Sequence, residues 1–264
     1  MIQLLHRTLG ALRRRSFEKR FARHEEGGYG GNLYRGVYPT FAAAQQSAPP
    51  SKPTGYDNAA SADLYLDRTK RVYPADYPVL FWLEKLFLSG RKSVFDLGGH
   101  IGVAYYAYRK YLTYPASLRW VVHDVPAVMA RGRELATRLD SHKALSFADS
   151  TRDATGFDVF FASGSLQYLP VTLGEILNEL PQRPRHVLVN LTPLHPSESF
   201  FTLQSIATSY CPYRVTQFGR FVEELGKVGY RQRDVWENPD KRCEIAFDPA
   251  HSLDRYYGGL FDLE

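Results

Sequence analysis

The chain has 264 residues, enough for one domain with a sizeable core, and carries a formal charge of +5 with only two cysteines, Cys211 and Cys243. Without a C-x-x-C or matching His spacing, these exclude a disulfide scaffold and a zinc site and point to a reduced, cytoplasmic protein; no apolar run reaches the ~18 residues needed to cross a bilayer. Residues 1–23 hold seven Lys or Arg against the single acid Glu18, so the rest is near neutral and offers no basic stripe to nucleic acid.

Residues 1–26 read as a basic amphipathic tail. Ile2, Leu5, Leu9 and Leu12 fall near one helical face, and Arg7, Arg13, Arg14, Arg15, Lys19, Arg20 and Arg23 supply the charge. Such a helix can lie peripherally on an anionic membrane surface, at roughly 1 kcal/mol per basic side chain, or remain a solvated tail. The arginines at 13–15 stand where a signal peptide needs small residues. Residues 27–90 form an N-terminal extension with a glycine joint at Gly27-Gly28-Tyr29-Gly30-Gly31, a proline-rich loop over 47–53, and an apolar helix over 79–88.

The third segment, 91–264, opens on Val94-Phe95-Asp96-Leu97-Gly98-Gly99-His100-Ile101-Gly102, an apolar strand, a carboxylate and a glycine-rich turn into a helix. Glycines let the backbone approach a ligand, and the helix N–H groups face it. A dinucleotide fingerprint starting at Gly98 needs glycine at 100 and 103, where this chain has His100 and Val103. The acid before the turn repels a pyrophosphate and attracts an ammonium, as in S-adenosylmethionine. The loop resembles the D-x-G-x-G-x-G loop of class I methyltransferases, with His100 in place of the middle glycine.

A helix over 101–112 and a strand over 118–123 complete a βαβ unit, and Asp124 at the strand end is placed to accept from ribose hydroxyls, with His123 turned into the sheet. A third strand over 144–147 runs into Asp149 and Ser150, which read either as an adenine-side acid or as a plain turn. A fourth over 157–163 ends in Ser163-Gly164-Ser165-Leu166-Gln167-Tyr168-Leu169. Then come a helix stopped by Pro181, a buried strand over 186–191, a helix over 218–228 ended by Gly229, and a hairpin of 230–236 with 242–247.

This order of motifs, with Tyr34-Arg35-Gly36-Val37-Tyr38, Gly55-Tyr56-Asp57-Asn58 and Tyr257-Gly258-Gly259-Leu260, resembles a family of class I S-adenosylmethionine-dependent methyltransferases often encoded among surface-polysaccharide genes. The resemblance runs from about residue 30 to the C-terminus. It implies an α/β fold of the class I methyltransferase (Rossmann-like) type: a doubly wound, mostly parallel sheet with an antiparallel C-terminal hairpin, plus an N-terminal helical extension. It further implies S-adenosylmethionine as cofactor and a small-molecule or saccharide acceptor, with O-methylation in surface-polysaccharide or secondary-metabolite biosynthesis as the expected role.

The expected cofactor contacts are Asp96, Gly98, Gly99, His100, Gly102, Asp124, Val125, Asp149, Ser150, Ser163, Gly164 and Gln167. Ligand crevices in open α/β sheets lie at the carboxyl ends of the strands, so Tyr168 and His195 fall near the acceptor, with His195 as the candidate base. Tyr73 and Tyr77, on the segment folding over that crevice, are candidates to line it. Two rival readings stand beside this one: a silent scaffold of the same fold bound to a biosynthetic partner, and an NAD(P)-dependent oxidoreductase, which the glycine register disfavours.

Overall fold

The structure, a computed structural model, describes residues 2–24, 31–57, 65–206 and 208–264, residues 2–9 by their backbone alone. Gly27, Gly28, Tyr29 and Gly30 of the expected joint, Asn58, and the side chains of Ile2, Leu5 and Leu9 lie outside the described part.

The apolar runs of the third segment form five parallel strands: β2 (Ser93–Leu97), β3 (Arg119–His123), β4 (Leu145–Phe147), β5 (Val159–Ser163) and β6 (His186–Thr192). With β10 (Tyr230–Asn238) and β11 (Tyr256–Leu263) they make one seven-stranded sheet of order β10-β11-β6-β5-β2-β3-β4. β11 runs antiparallel to both neighbours. The order reverses beside β2, between β3 and β5, which makes the sheet doubly wound, Rossmann-like and of class I methyltransferase order.

Both faces are covered. Phe95, Phe160, Val187 and Phe261 point to one side with Leu177 and Leu225, whereas Val94, Trp120, Phe161 and Leu188 point to the other with Leu83 and Leu86. The alternation follows from the two-residue period of a strand, and burial on both sides explains why these strands are almost wholly apolar. The covering helices include α3 (Tyr77–Leu88), α4 (Val103–Tyr108), α5 (Pro126–Leu139), α6 (Leu173–Asn178) and α7 (Phe218–Lys227). α6 starts on a capping box in which Thr172 and Glu175 satisfy each other's backbone N–H groups.

The closing hairpin differs from expectation. Its second strand is Tyr256–Leu263, not 242–247; Cys243 and Ile245 instead make isolated bridges to Leu253 and Tyr34. Two glycines, Gly258 and Gly259, weaken the strand signal of β11, yet a Cβ on Gly258 would lie 2.2 Å from the Trp236 ring that crosses it.

A second, four-stranded sheet of order β1-β8-β9-β7 was not foreseen: β1 (Leu33–Tyr38), β7 (Leu194–His195), β8 (Phe200–Ser205) and β9 (Tyr210–Gln217). The extension is therefore not only helical; its strand β1 pairs with β8 of the third segment. Nor is the tail wholly detached. Helix α1 (Ile2–Ala22) leaves Leu12 exposed but buries Phe21, which stacks on Tyr210 at 5.3 Å beneath the Arg35 guanidinium. Helix α2 (Phe41–Gln46), capped by the Thr40 hydroxyl, follows β1.

Candidate functional site

The glycine-rich turn between β2 and α4 is built from left-handed residues, Gly98 (φ 73°), His100 (φ 57°) and Gly102 (φ 89°). His100 thus adopts the conformation a glycine would take, one that histidine tolerates better than most side chains. The loop is anchored to the end of β3: the Gly98 N–H donates to the His123 carbonyl at 2.7 Å, and the His100 N–H donates to Asp124 Oδ2 at 2.9 Å. Asp124 Oδ1 accepts from the Val125 N–H at 2.7 Å. Asp124 is therefore a clip that fixes the turn, and each oxygen keeps a second lone pair for a ligand.

Asp96 lies under this turn and is 1% exposed. Its Oδ2 accepts from the Trp120 indole N–H at 3.0 Å. Burial, reinforced by the negative charge of Asp124 and partly offset by the indole, raises its carboxyl pKa to about 7. Burial likewise pushes Asp124 upward. Two desolvated acids side by side make a site where positive charge is wanted and further negative charge is not.

Above them lies a cavity of about 1160 Å³ at the carboxyl ends of the parallel strands. Val125, Asp149 and Thr151 bound one end; Asp96, Gly98, Gly99 and His100 form the middle; Ser163, Gly164, Gln167 and Tyr168 follow; Asn238 and Lys241 close the far end. Tyr56, Tyr65, Tyr73 and Asp76 from the extension cover it. Gln167 presents a buried amide oxygen with no hydrogen-bond partner among the described residues. Such an orphaned group is costly unless a ligand satisfies it.

Eleven of the fourteen expected cofactor and catalytic positions line this cavity, but their roles differ. Asp149 sits at its edge, largely exposed and paired with Arg133 at 2.7 Å. Ser150 is absent from the lining; its hydroxyl caps the turn Thr151–Ala154 by accepting from the Arg152 N–H. Gly102 packs instead against Leu145, which a Cβ would meet at 2.7 Å. Tyr168 lines the cavity but donates its hydroxyl to Gln204 at 3.0 Å, and burial holds its pKa well above the usual phenol value, so it is no base. Tyr73 lines the cavity while Tyr77 is 55% exposed outside it. His123 does line it, with Nδ1 bonded to the Ala148 carbonyl at 2.9 Å.

His195 corrects the sequence expectation most. It is buried away from the cavity in the short strand β7, where Nε2 donates to the Ala250 carbonyl at 3.0 Å and Nδ1 accepts from the N–H groups of Ser197 and Glu198. Both ring nitrogens are committed to holding loops. His195→Ala is therefore expected to cost about 2–4 kcal/mol in urea unfolding, by stranding buried backbone groups, while leaving ligand affinity in the cavity unchanged.

Asn190 was missed, although a lone amide in a buried apolar strand is a recognisable signal. Fully buried at the end of β6, it donates to the Ala75 carbonyl at 3.0 Å and accepts from Trp236 and Asn238, each at 3.1 Å. It thereby ties the cover of the cavity to its floor.

No family model matches the chain, and no curated protein does either. Among solved structures, the chain is similar to the 1,6-didemethyltoxoflavin-N1-methyltransferase of Burkholderia thailandensis, with 17% identity over 72% of this chain and 78% of that one and a TM-score of 0.46. The CcbJ methyltransferase of Streptomyces caelestis is 11% identical over 79% of this chain and 97% of that one, with a TM-score of 0.49. The magnesium protoporphyrin IX methyltransferase of Synechocystis is 12% identical over 78% and 84%, with a TM-score of 0.45.

Proposed function

We propose that the protein is an S-adenosylmethionine-dependent methyltransferase acting on a small-molecule acceptor. The observation that carries this reading is Asp96, a carboxyl desolvated beneath a glycine turn at the switch point of the sheet, with Asp124 beside it. Supporting it are the buried orphan oxygen of Gln167 and a cavity whose volume of about 1160 Å³ leaves room for an acceptor beside the donor.

Bound there, S-adenosylmethionine would supply a methyl group activated by its sulfonium. Asp96 would hold the ammonium, Asp124 and Asp149 the nucleoside side, and Gln167 a polar group at the centre. The tyrosines would cover the bound molecules, and Asn190 holds the segment of Tyr73 in place through Ala75, so the chain's contribution would be the alignment of two molecules under that cover. With His195 and Tyr168 committed elsewhere, neither acts as base. The resemblance to enzymes encoded among surface-polysaccharide genes supports a saccharide hydroxyl as acceptor.

Calorimetry with S-adenosylmethionine, S-adenosylhomocysteine and NADH tests the reading. The first two are expected to bind and NADH is not. Binding of NADH alone would refute it, and silence from all three would leave a scaffold of the same fold.

A further inference from the structure

The cavity carries positive charge that the donor site does not use. Lys241 stands at its far end, on the chain just beyond β10, whereas Arg68 and Arg71 reach it from the turn Leu66–Lys70 and its exit, which lie over α4 and the glycine loop, with Tyr65 5.0 Å from His100. Arg68 lies 5.0 Å over both the Tyr65 and Tyr73 rings, and Arg71 donates from Nε to the Tyr73 hydroxyl at 3.0 Å. None of the three cations forms an ion pair among the described residues.

The acids nearby are occupied or exposed. Glu237 pairs with Arg255 at 2.7 Å. Asp76 feels the charge of Arg68 but accepts from the Tyr73 N–H at 2.8 Å and the Tyr108 hydroxyl at 3.0 Å. Asp240 is exposed and, among the described residues, pairs with none of the three cations. Lys241 is partly withdrawn from water, and burial, followed by repulsion from Arg68, lowers its ammonium pKa. A cation held in a cavity beside a second one is stabilised when an anion sits between them.

The sheet order says which molecule that anion belongs to. Asp149 follows β4 at one edge, whereas Lys241 follows β10 at the other, with β11, β6 and β5 between β10 and the glycine loop of β2. We propose that Lys241 binds an anionic group of the acceptor, a carboxylate or a phosphate, in the half of the cavity remote from the nucleoside end. Calling the bound molecule the acceptor rests on the methyltransferase reading; the anion site itself does not.

The test uses the full chain and two matched pairs of probes, glucuronate against glucose and phenyl phosphate against phenol, measured by calorimetry with and without saturating S-adenosylhomocysteine. The expected result is roughly tenfold tighter binding of the charged member of at least one pair, as a charge-assisted contact supplies. Which pair responds tells carboxylate from phosphate. Lys241→Met should erase that preference and Lys241→Arg retain it, with S-adenosylhomocysteine affinity unchanged in both. Equal binding of charged and neutral probes, a preference that survives Lys241→Met, or a loss of S-adenosylhomocysteine affinity in that variant would each overturn the proposal. Failure of the unaltered protein to bind S-adenosylhomocysteine while it prefers the anions would instead count against the methyltransferase reading alone.

Discussion

Asp96→Asn is expected to weaken S-adenosylhomocysteine binding by roughly 30- to 150-fold, the equivalent of the ~2–3 kcal/mol that a hydrogen bond to a charged group contributes. The substitution keeps an acceptor for the Trp120 indole and removes only the negative charge. Its pH signature separates it from a general loss of structure. With the carboxyl pKa raised to about 7, a bound ammonium must displace a proton below that pH. Affinity of the unaltered protein should fall by up to about tenfold per pH unit as pH drops below 7, and in Asp96→Asn this component of the slope should vanish.

Stability moves in the opposite sense. A carboxyl whose pKa is higher folded than unfolded stabilises the native state fully below the unfolded value near 4, and that contribution is lost as pH rises through 7. The ligand-free protein should therefore lose stability between about pH 4 and 7 relative to Asp96→Asn, which stays flat at this site. Calorimetry and urea titrations across that window check both halves. A pH-independent affinity in the unaltered protein would remove Asp96 from the ammonium site.

The second large effect is expected at Gly98. A Cβ there would lie 2.2 Å from Ser165 Cβ and 2.9 Å from Ser165 Oγ, and the backbone sits at φ 73°. Left-handed strain of about 1–2 kcal/mol and overpacking of about 1–3 kcal/mol together make Gly98→Ala destabilising by roughly 2–5 kcal/mol. The two causes can be told apart. Ser165→Gly removes the colliding atoms but not the dihedral strain, so in the double variant only the packing component should be recovered. The reference is Ser165→Gly alone, which also loses the 2.6 Å bond from Ser165 Oγ to the Leu97 carbonyl. A double-mutant cycle in urea unfolding measures the coupling, and a coupling near zero would show that the loops of β2 and β5 do not interlock there.

That interlock marks the limit of what the sequence could say. The loop from Asp96 to Gly102, the acid at 124 and the five parallel strands were legible because an apolar run between turn residues has few other readings. The chemistry of individual groups was less so. Asp124 reads as a ligand contact, yet it also carries the backbone of His100, a long-range bond that spacing alone does not reveal. His195 looked free because it stands between prolines in sequence; the carbonyl that captures it lies 55 positions away at Ala250. Strands β8 and β9 form a hairpin whose β-rich runs, Phe200–Ser205 and Tyr210–Gln217, were readable in principle, although Pro212 argues against a strand. Strand β11 hid behind the two glycines that Trp236 requires.

The pairing of β1 with β8 also bears on how the molecule is made. Gln204, which donates to the Tyr34 hydroxyl, lies 170 positions later in the chain. During translation the first strand must wait unpaired, its open edge exposed to other nascent chains, until the hairpin it joins has left the ribosome. A pairing that spans so much of the chain is slow to form, and the wait gives chaperones their occasion to bind.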